Sequence, residues 1–329
     1  MLELDASNVA AVLDGQEGWE GGDIRITPLG GGVSNTVLLV EGARQRLVLK
    51  QSLAKLRVEQ DWFSDRSRVY REAAALRWLA GRLPAGSVPA VVFEDRDNFL
   101  FAMTAAPSGA RTWKSLLLEG CADRAVAVQV GRLLAAIIRA SWQEATVAAA
   151  FGDQTVFDQL RLDPYYRATA ARHPDLAPFF DVLIRAYPEQ RYCLVHGDWS
   201  PKNFLVWDHG VMAIDFEVAH FGDPAFDAAF LLNHLLLKSF HRPVWQARYA
   251  ELAQAFWMTL SAELPEELGD FEARVVRHWG GLLLARIDGK SPVEYIRDES
   301  VKQAVRTFAR GLIAAPPAHV MEVFERRAA

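Results

Sequence analysis

Between Cys193 and Asp227 the chain reads CLVHGDWSPKNFLVWDHGVMAIDFEVAHFGDPAFD. His196, Asp198, Lys202, Asn203, Asp215, Glu217, Asp223 and Asp227 all stand there among short apolar runs. Charged groups are seldom kept in such surroundings without a partner or a metal. His196-Gly197-Asp198 closes one apolar run, Asn203 follows Asp198 by five positions, and Asp215 closes a second run, followed by Phe216 and Glu217. A carboxylate, an amide and a second carboxylate in this order suit transfer of a phosphoryl group to a hydroxyl. Asp198 is placed to accept the hydroxyl proton. Asn203 and Asp215 offer oxygen ligands to a hard cation such as Mg²⁺. Chemistry of this kind is mostly positioning and charge.

The same chemistry needs a nucleotide held by its phosphates. LGGGVSNTVLLV supplies a glycine turn between two apolar runs. Gly31 and Gly32 would let backbone N–H groups approach phosphate, and Ser34 and Asn35 would add polar contacts. The turn is not the G-x-x-x-x-G-K-[ST] loop of the other nucleotide-binding class. Lys50 ends LVLK, where a strand would aim it at the phosphates, and Glu72 on the next helix is its natural ion-pair partner. Met103 and Ala105 border the expected hinge, where a nucleotide would be met mainly through backbone groups.

These residues need elements to carry them. IRITPLGGGVSNTVLLVE reads as strand, turn, strand, and QRLVLK as a third strand. Ser7 is a plausible cap for a first short helix. Val69, Ala73, Leu76 and Ala80 repeat at helical spacing, so a helix is expected over 57–79, ended by Gly81 and Pro84. VPAVVFEDRDNFLFAMTAA gives two more strands around an EDRDN turn. The predicted organisation is an α+β, bilobal protein-kinase-like fold: a β-rich N-lobe over 1–104, a hinge at 105–109, and a helical C-lobe over 110–329. RAVAVQVGRLLAAIIRA and LAPFFDVLIRAYP are amphipathic helices, and the chain reads helical from Asp223 almost to its end. Asp223-Pro224 suits the start of the first of these helices.

VHGDWSPKN together with AIDFEVAHFGDPAFD resembles the aminoglycoside phosphotransferase and choline kinase superfamily. The resemblance extends from the glycine loop to the metal aspartate and implies ATP and Mg²⁺ as cofactors. It implies Asp198 as base, Asn203 and Asp215 as Mg²⁺ ligands, Lys50 held by Glu72 on the phosphates, and His196 as a brace for the catalytic loop. A weaker resemblance, carried by VLKQSLAKLRV, LDPYYR and FEVAHFGDPAFDAAFLLNHLLL, is to the 5-methylthioribose kinase branch. That branch usually has a serine where Asn203 stands, and its arginine pair is not cleanly matched by LLLARIDGKSPVEYI. The expected acceptor is a hydroxyl of a small polar metabolite, a sugar or sugar-like alcohol, with aminoglycosides and amino alcohols as the other classes.

Acceptor residues are sought in two segments. RLDPYYR offers Arg161, Asp163, Tyr165, Tyr166 and Arg167, and ARIDGKSPVEY offers Arg286, Asp288 and Glu294. Of these, Tyr165, Tyr166, Arg167, Arg286 and Asp288 are taken as acceptor-site candidates, with Glu217. Each has a plainer role available as a helix-end contact. Asp223 and Asp227 fit better as a helix cap and a backbone acceptor than as ligands, Lys202 is either a phosphate contact or a solvated loop lysine, and Trp199 and Phe216 read as packing. A non-catalytic nucleotide-binding module would be expected to have lost one member of the set. A metal-dependent hydrolase would leave Lys50 and Glu72 without a task. A protein kinase is disfavoured because no A-P-E-like segment follows Asp215.

The net charge of -5 argues against nucleic acid as the main partner. No apolar run reaches the ~18 residues of a membrane span. Met1–Gly15 shows no basic stretch leading into an apolar one, and Cys121 and Cys193 read as reduced core residues, so a cytoplasmic chain is expected.

Overall fold

Alternation in NTVLLVE and RLVLKQS is what a sheet with one buried face requires. The computed structural model describes residues 2–16, 19, 21–30, 34–57, 62–208 and 210–328. Strands β1 (Arg25–Pro28), β2 (Asn35–Glu41), β3 (Arg46–Ser52), β4 (Val91–Asp95) and β5 (Leu100–Thr104) form one antiparallel sheet in the order β1-β2-β3-β5-β4. Leu38, Val40, Leu47, Leu49, Leu100 and Ala102 bury one face against the short helix α1 (Val9–Leu13). In register, Lys50 lies between Val37 and Phe101, in the middle of the sheet.

Helix α2 (Arg68–Ala80) covers the other face with Val69, Ala73 and Leu76. It begins later than helical spacing suggests. Asp65 accepts a hydrogen bond from the backbone N–H of Ser67 (2.8 Å), and Lys55 bridges Phe63, so the described part of 55–67 is a turn and an isolated strand pairing. Side-chain-to-backbone bonds of this kind compete with helix; residues 58–61 of the expected helix lie outside the described residues. At the N-terminus the backbone acceptor is Asp5, bonded to the N–H groups of Ser7 and Asn8, rather than Ser7.

The chain leaves the sheet where Ala105 N–H donates to Arg46 O (3.0 Å), then turns at Gly109 with φ of 82°. Strand β6 (Arg111–Thr112) pairs with β8 (Phe204–Trp207), which pairs with β9 (Gly210–Ala213). A second ribbon joins β7 (Cys193–Val195) to β10 (His220–Gly222). The segment 196–203 is therefore suspended between two short strand pairs, and Asp215 hangs just beyond β9.

Helices make up most of the remainder. Ala225–His241 is buried along nearly its whole length and packs against Gln246–Ser261, Phe271–Asp288 and Glu299–Ala314. Asp223 Oδ1 accepts from Ala225 N–H (3.0 Å) at its start, the capping role foreseen for it. RLDPYYR lies in a π-helical stretch, Asp158–Arg167, which contains Pro164. Cys193 is buried, but Cys121 is exposed: it follows the chain reversal at Gly120 rather than entering the core. No single helix among the described residues is long and apolar enough to cross a membrane.

Candidate active site

The loop between β7 and β8 is fixed through its backbone. Asp227 Oδ2 and Oδ1 accept from His196 N–H (2.7 Å) and Gly197 N–H (2.8 Å). Gly197 has φ of 78°, and a Cβ there would lie 2.8 Å from Val218 Cγ1, so no other residue fits without displacement. The His196 ring spans the loop, taking Asp198 N–H at Nδ1 (3.0 Å) and meeting Ile214 O through Nε2 (3.0 Å). Those partners fix the neutral tautomer with the proton on Nε2. Burial pushes its pKa down to about 4, so the ring stays uncharged and braces both loops.

Asp198 is buried, and both cations that reach it bind the same oxygen. Arg161 Nη2 lies 3.0 Å and Lys202 Nζ 2.8 Å from Oδ2. Oδ1 has no partner among the described residues and is left for an acceptor hydroxyl. Burial alone would raise this carboxyl; Lys202 and Arg161 outweigh it and hold it below the ordinary carboxylate range. Asn203 donates from Nδ2 to Asp198 O (2.9 Å), which fixes the amide and leaves Oδ1 as its acceptor.

Lys50 joins the lobes. Its ammonium lies 2.5 Å from Glu72 Oε2 and also meets Asp215 Oδ1. Burial raises the Glu72 carboxyl against the pull of Lys50, and the fully buried Oε1 has no partner among the described residues. Burial likewise acts to raise Asp215, yet the adjacent Lys50 and Lys202 bring it well below the usual range. Asp215 holds φ of 71°, a left-handed backbone that few non-glycine residues adopt. Glu72, Asp215 and Glu217 bring carboxylate oxygens within 4.8 Å of one another. Lys50 already holds Glu72, and Ser34, Asn35 and Arg68 hold Glu217, so Asp215 and the Asn203 amide oxygen are the hard oxygen donors of the kind Mg²⁺ prefers.

The structure distributes the other candidates unevenly. Ser34 Oγ (2.7 Å) and Asn35 Nδ2 (2.7 Å) donate to Glu217, which Arg68 also reaches at 3.2 Å. Glu217 thus ties the end of the glycine turn to α2. Gly31 and Gly32 are outside the described residues. Met103 packs in the core beside Val48, and Ala105 is half-buried at the crossing. Tyr165 meets Arg286, Oη to Nη1, at 3.1 Å. Tyr166 is buried against His278 (2.8 Å), Arg167 pairs with Asp158 at the surface, and Asp288 is held by His173 and Arg306.

Two residues gain importance only in three dimensions. Arg161 was one of five polar residues in its segment, and its contact with Asp198 depends on the π-helical path. Arg68 carries no motif, and its burial is visible only once α2 is placed.

A profile of the phosphotransferase enzyme family matches residues 25–262. The chain belongs to this phosphotransferase family. The matched span takes in Lys50, Glu72, Asp198, Asn203 and Asp215. A methylthioribose kinase from Escherichia coli O45:K1 is 28% identical over 251 residues, 68% of this phosphotransferase and 60% of the relative. The match thus spans 60% of that relative's length. Among solved structures, a choline/ethanolamine kinase family protein from Mesorhizobium loti aligns over 97% of this chain and 99% of its own, with TM-score 0.53 and 17% identity. A spectinomycin phosphotransferase aligns over 98% of each chain with TM-score 0.55 and 11% identity. An amicoumacin kinase covers 98% of this chain and 97% of its own, with TM-score 0.53 and 17% identity. These likenesses establish the bilobal, protein-kinase-like fold expected from the sequence.

Proposed function

We propose that this phosphotransferase is a small-molecule kinase that moves the terminal phosphoryl group of ATP to a hydroxyl of a small polar metabolite, of the sugar or sugar-alcohol class. The observation that carries the reading is Asp198: a buried, ionised carboxylate whose Oδ2 is bound by Arg161 and Lys202 while Oδ1 stays open. The methylthioribose kinase relative and the nucleotide complexes of the spectinomycin and amicoumacin enzymes support the reaction class.

In this mechanism Asp198 Oδ1 accepts the acceptor's hydroxyl proton as its oxygen attacks in line. Lys202 lies beside that carboxylate and balances charge on the transferred phosphoryl. Lys50, aligned by Glu72, binds the nucleotide phosphates. Asn203 and Asp215 would hold Mg²⁺, which supplies positive charge for phosphate oxygens. Glu217 anchors the glycine turn over them. His196 and Asp227 position the loop and take no part in proton transfer.

The test is an ADP-release assay over a panel of sugars, polyols and amino alcohols, run beside Asp198→Asn. Turnover with wild type and its loss in the variant is the expected result. Wild-type turnover by Asp198→Asn on the same acceptor would remove Asp198 as base. ATP binding without turnover on any acceptor would point to a binding module instead.

A further inference from the structure

Beyond Asp198, two buried cations stand without a carboxylate. Arg286 Nη1 is shared between Tyr165 Oη (3.1 Å) and Ser291 Oγ (2.9 Å), with Ser291 O as a further acceptor. Its Nε is buried with no partner, and the residue is 9% exposed. Lys238 is fully buried on the central helix; among the described residues its ammonium bonds only His234 O (3.3 Å), and it lies 5.2 Å from the Tyr295 ring centre. The hydroxyl of Tyr295 is also buried and has no partner among the described residues. Among the described residues neither cation has an acidic group within ion-pair distance.

Arg286 is connected to the reaction centre. Tyr165 separates it from Arg161: the Arg161 guanidinium carbon lies 5.7 Å from that ring and the Arg286 carbon 5.6 Å. Arg161 in turn grips Asp198. Of the other charges nearby, Lys114 is matched by Glu294, while Lys202 and Arg161 share the single carboxylate of Asp198. His234 is held neutral by burial, then by Arg286, Lys238, Lys202 and Lys114. The surplus charge is therefore positive, and Arg286 and Lys238 are the two members of it with no carboxylate in ion-pair reach among the described residues. A buried cation without a counter-charge is costly.

We propose that the hydroxyl acceptor carries an anionic group, bound by Arg286 and Lys238 while its hydroxyl faces Asp198. The inference rests on the kinase reading of the site and narrows its substrate from polar metabolites in general to hydroxylated acids. A guanidinium with open donors beside an ammonium suits a carboxylate or a phosphate equally, and both bind as charge-assisted acceptors. Burial, with Lys114 and Arg286 nearby and Glu294 opposing, brings Lys238 down to about 7. An anion beside it would restore its proton.

The experiment uses the full chain with MgATP and matched acceptors: glycerate, erythronate and ribonate as carboxylates, glycerol phosphate and ribose 5-phosphate as phosphates, glycerol, erythritol and ribitol as neutral forms, and choline as a cation. Turnover, or thermal stabilisation in the presence of a non-hydrolysable ATP analogue, is expected with one anionic arm and not with its neutral counterpart. The arm that responds identifies carboxylate or phosphate. Lys238→Met and Arg286→Met should each raise KM or Kd for that acid roughly ten- to a hundredfold, the usual effect of losing a bond to a charged group. The KM for ATP should stay unchanged. Preference for neutral or cationic acceptors, or acid binding that ignores both substitutions, overturns the proposal. No stabilisation by any acid overturns it as well. Stabilisation by MgATP alone is read separately, because its loss would sink the kinase reading while leaving acid binding to be judged by itself.

Discussion

The two ends of the cleft are built on opposite electrostatic plans. At the phosphoryl end each buried ion has its counter-ion in place: Lys50 with Glu72 and Asp215, Asp198 with Arg161 and Lys202, Glu217 with Arg68. At the proposed acceptor end Arg286 and Lys238 are left with hydroxyls, carbonyls and ring faces. A pre-paired site can be stable before any ligand arrives and can serve any nucleotide-dependent transfer. Unpaired cations commit a site to one ligand charge. The contrast indicates why the reaction class can be read more readily than the acceptor: the first is a matter of groups that recur, the second of groups that are missing.

Substitutions at the paired end should give the largest effects. Asp198→Ala is expected to lower kcat by roughly 10²–10⁴-fold with MgATP affinity retained, by single-turnover kinetics and nucleotide titration. Retained turnover would break the division between the two ends. Asp215→Ala is expected to weaken Mg²⁺-dependent nucleotide binding by about ten- to a hundredfold, while binding of nucleotide without metal changes less. Arg161→Met removes one of the two cations from Asp198. The acid limb of the kcat/KM profile should then move to higher pH, since less positive charge holds that carboxyl down. An unmoved limb would mean that Lys202 alone sets it.

Glu217→Gln should raise the KM for ATP roughly three- to tenfold with little change in acceptor KM, because it frees Ser34, Asn35 and Arg68 together. An effect confined to the acceptor would return Glu217 to the side of the cleft assigned to it from sequence. The smallest effect concerns the aromatic layer behind the π-helical segment. Burial holds His278 down to about 3, below an ordinary value of 6.5. As pH falls below 6.5 the unfolded chain takes up a proton that the folded histidine refuses, so this residue's contribution to stability declines with acidification. The stability gap between wild type and His278→Gln should narrow by about 2 kcal/mol from pH 7 to pH 5, by denaturant titration.

The legible parts of the chain were those with local signatures. Alternation located the strands, and Lys50, Glu72, Asp198, Asn203 and Asp215 stood at spacings a phosphotransferase needs. The start of α2 was illegible to periodicity, because Asp65 settles it by bonding backbone that a helix would otherwise use. Arg161 and Glu217 were visible as charged residues but not as partners. One contact spans a π-helical path and the other joins positions 183 residues apart. Lys238 carries a signal of another kind, a lysine inside the apolar run LLNHLLLKSFH, with no catalytic spacing attached to it.

The backbone at Asp215 has a consequence for what can replace this residue. Its φ of 71° is a conformation that glycine occupies freely and aspartate tolerates with effort. Replacement by glycine would relax the turn while deleting a proposed metal ligand. The same replacement would leave the buried Lys50 with Glu72 as its remaining carboxylate, so the backbone relief is set against a lost ion pair. One residue thus couples the shape of the turn to the charge balance of the site.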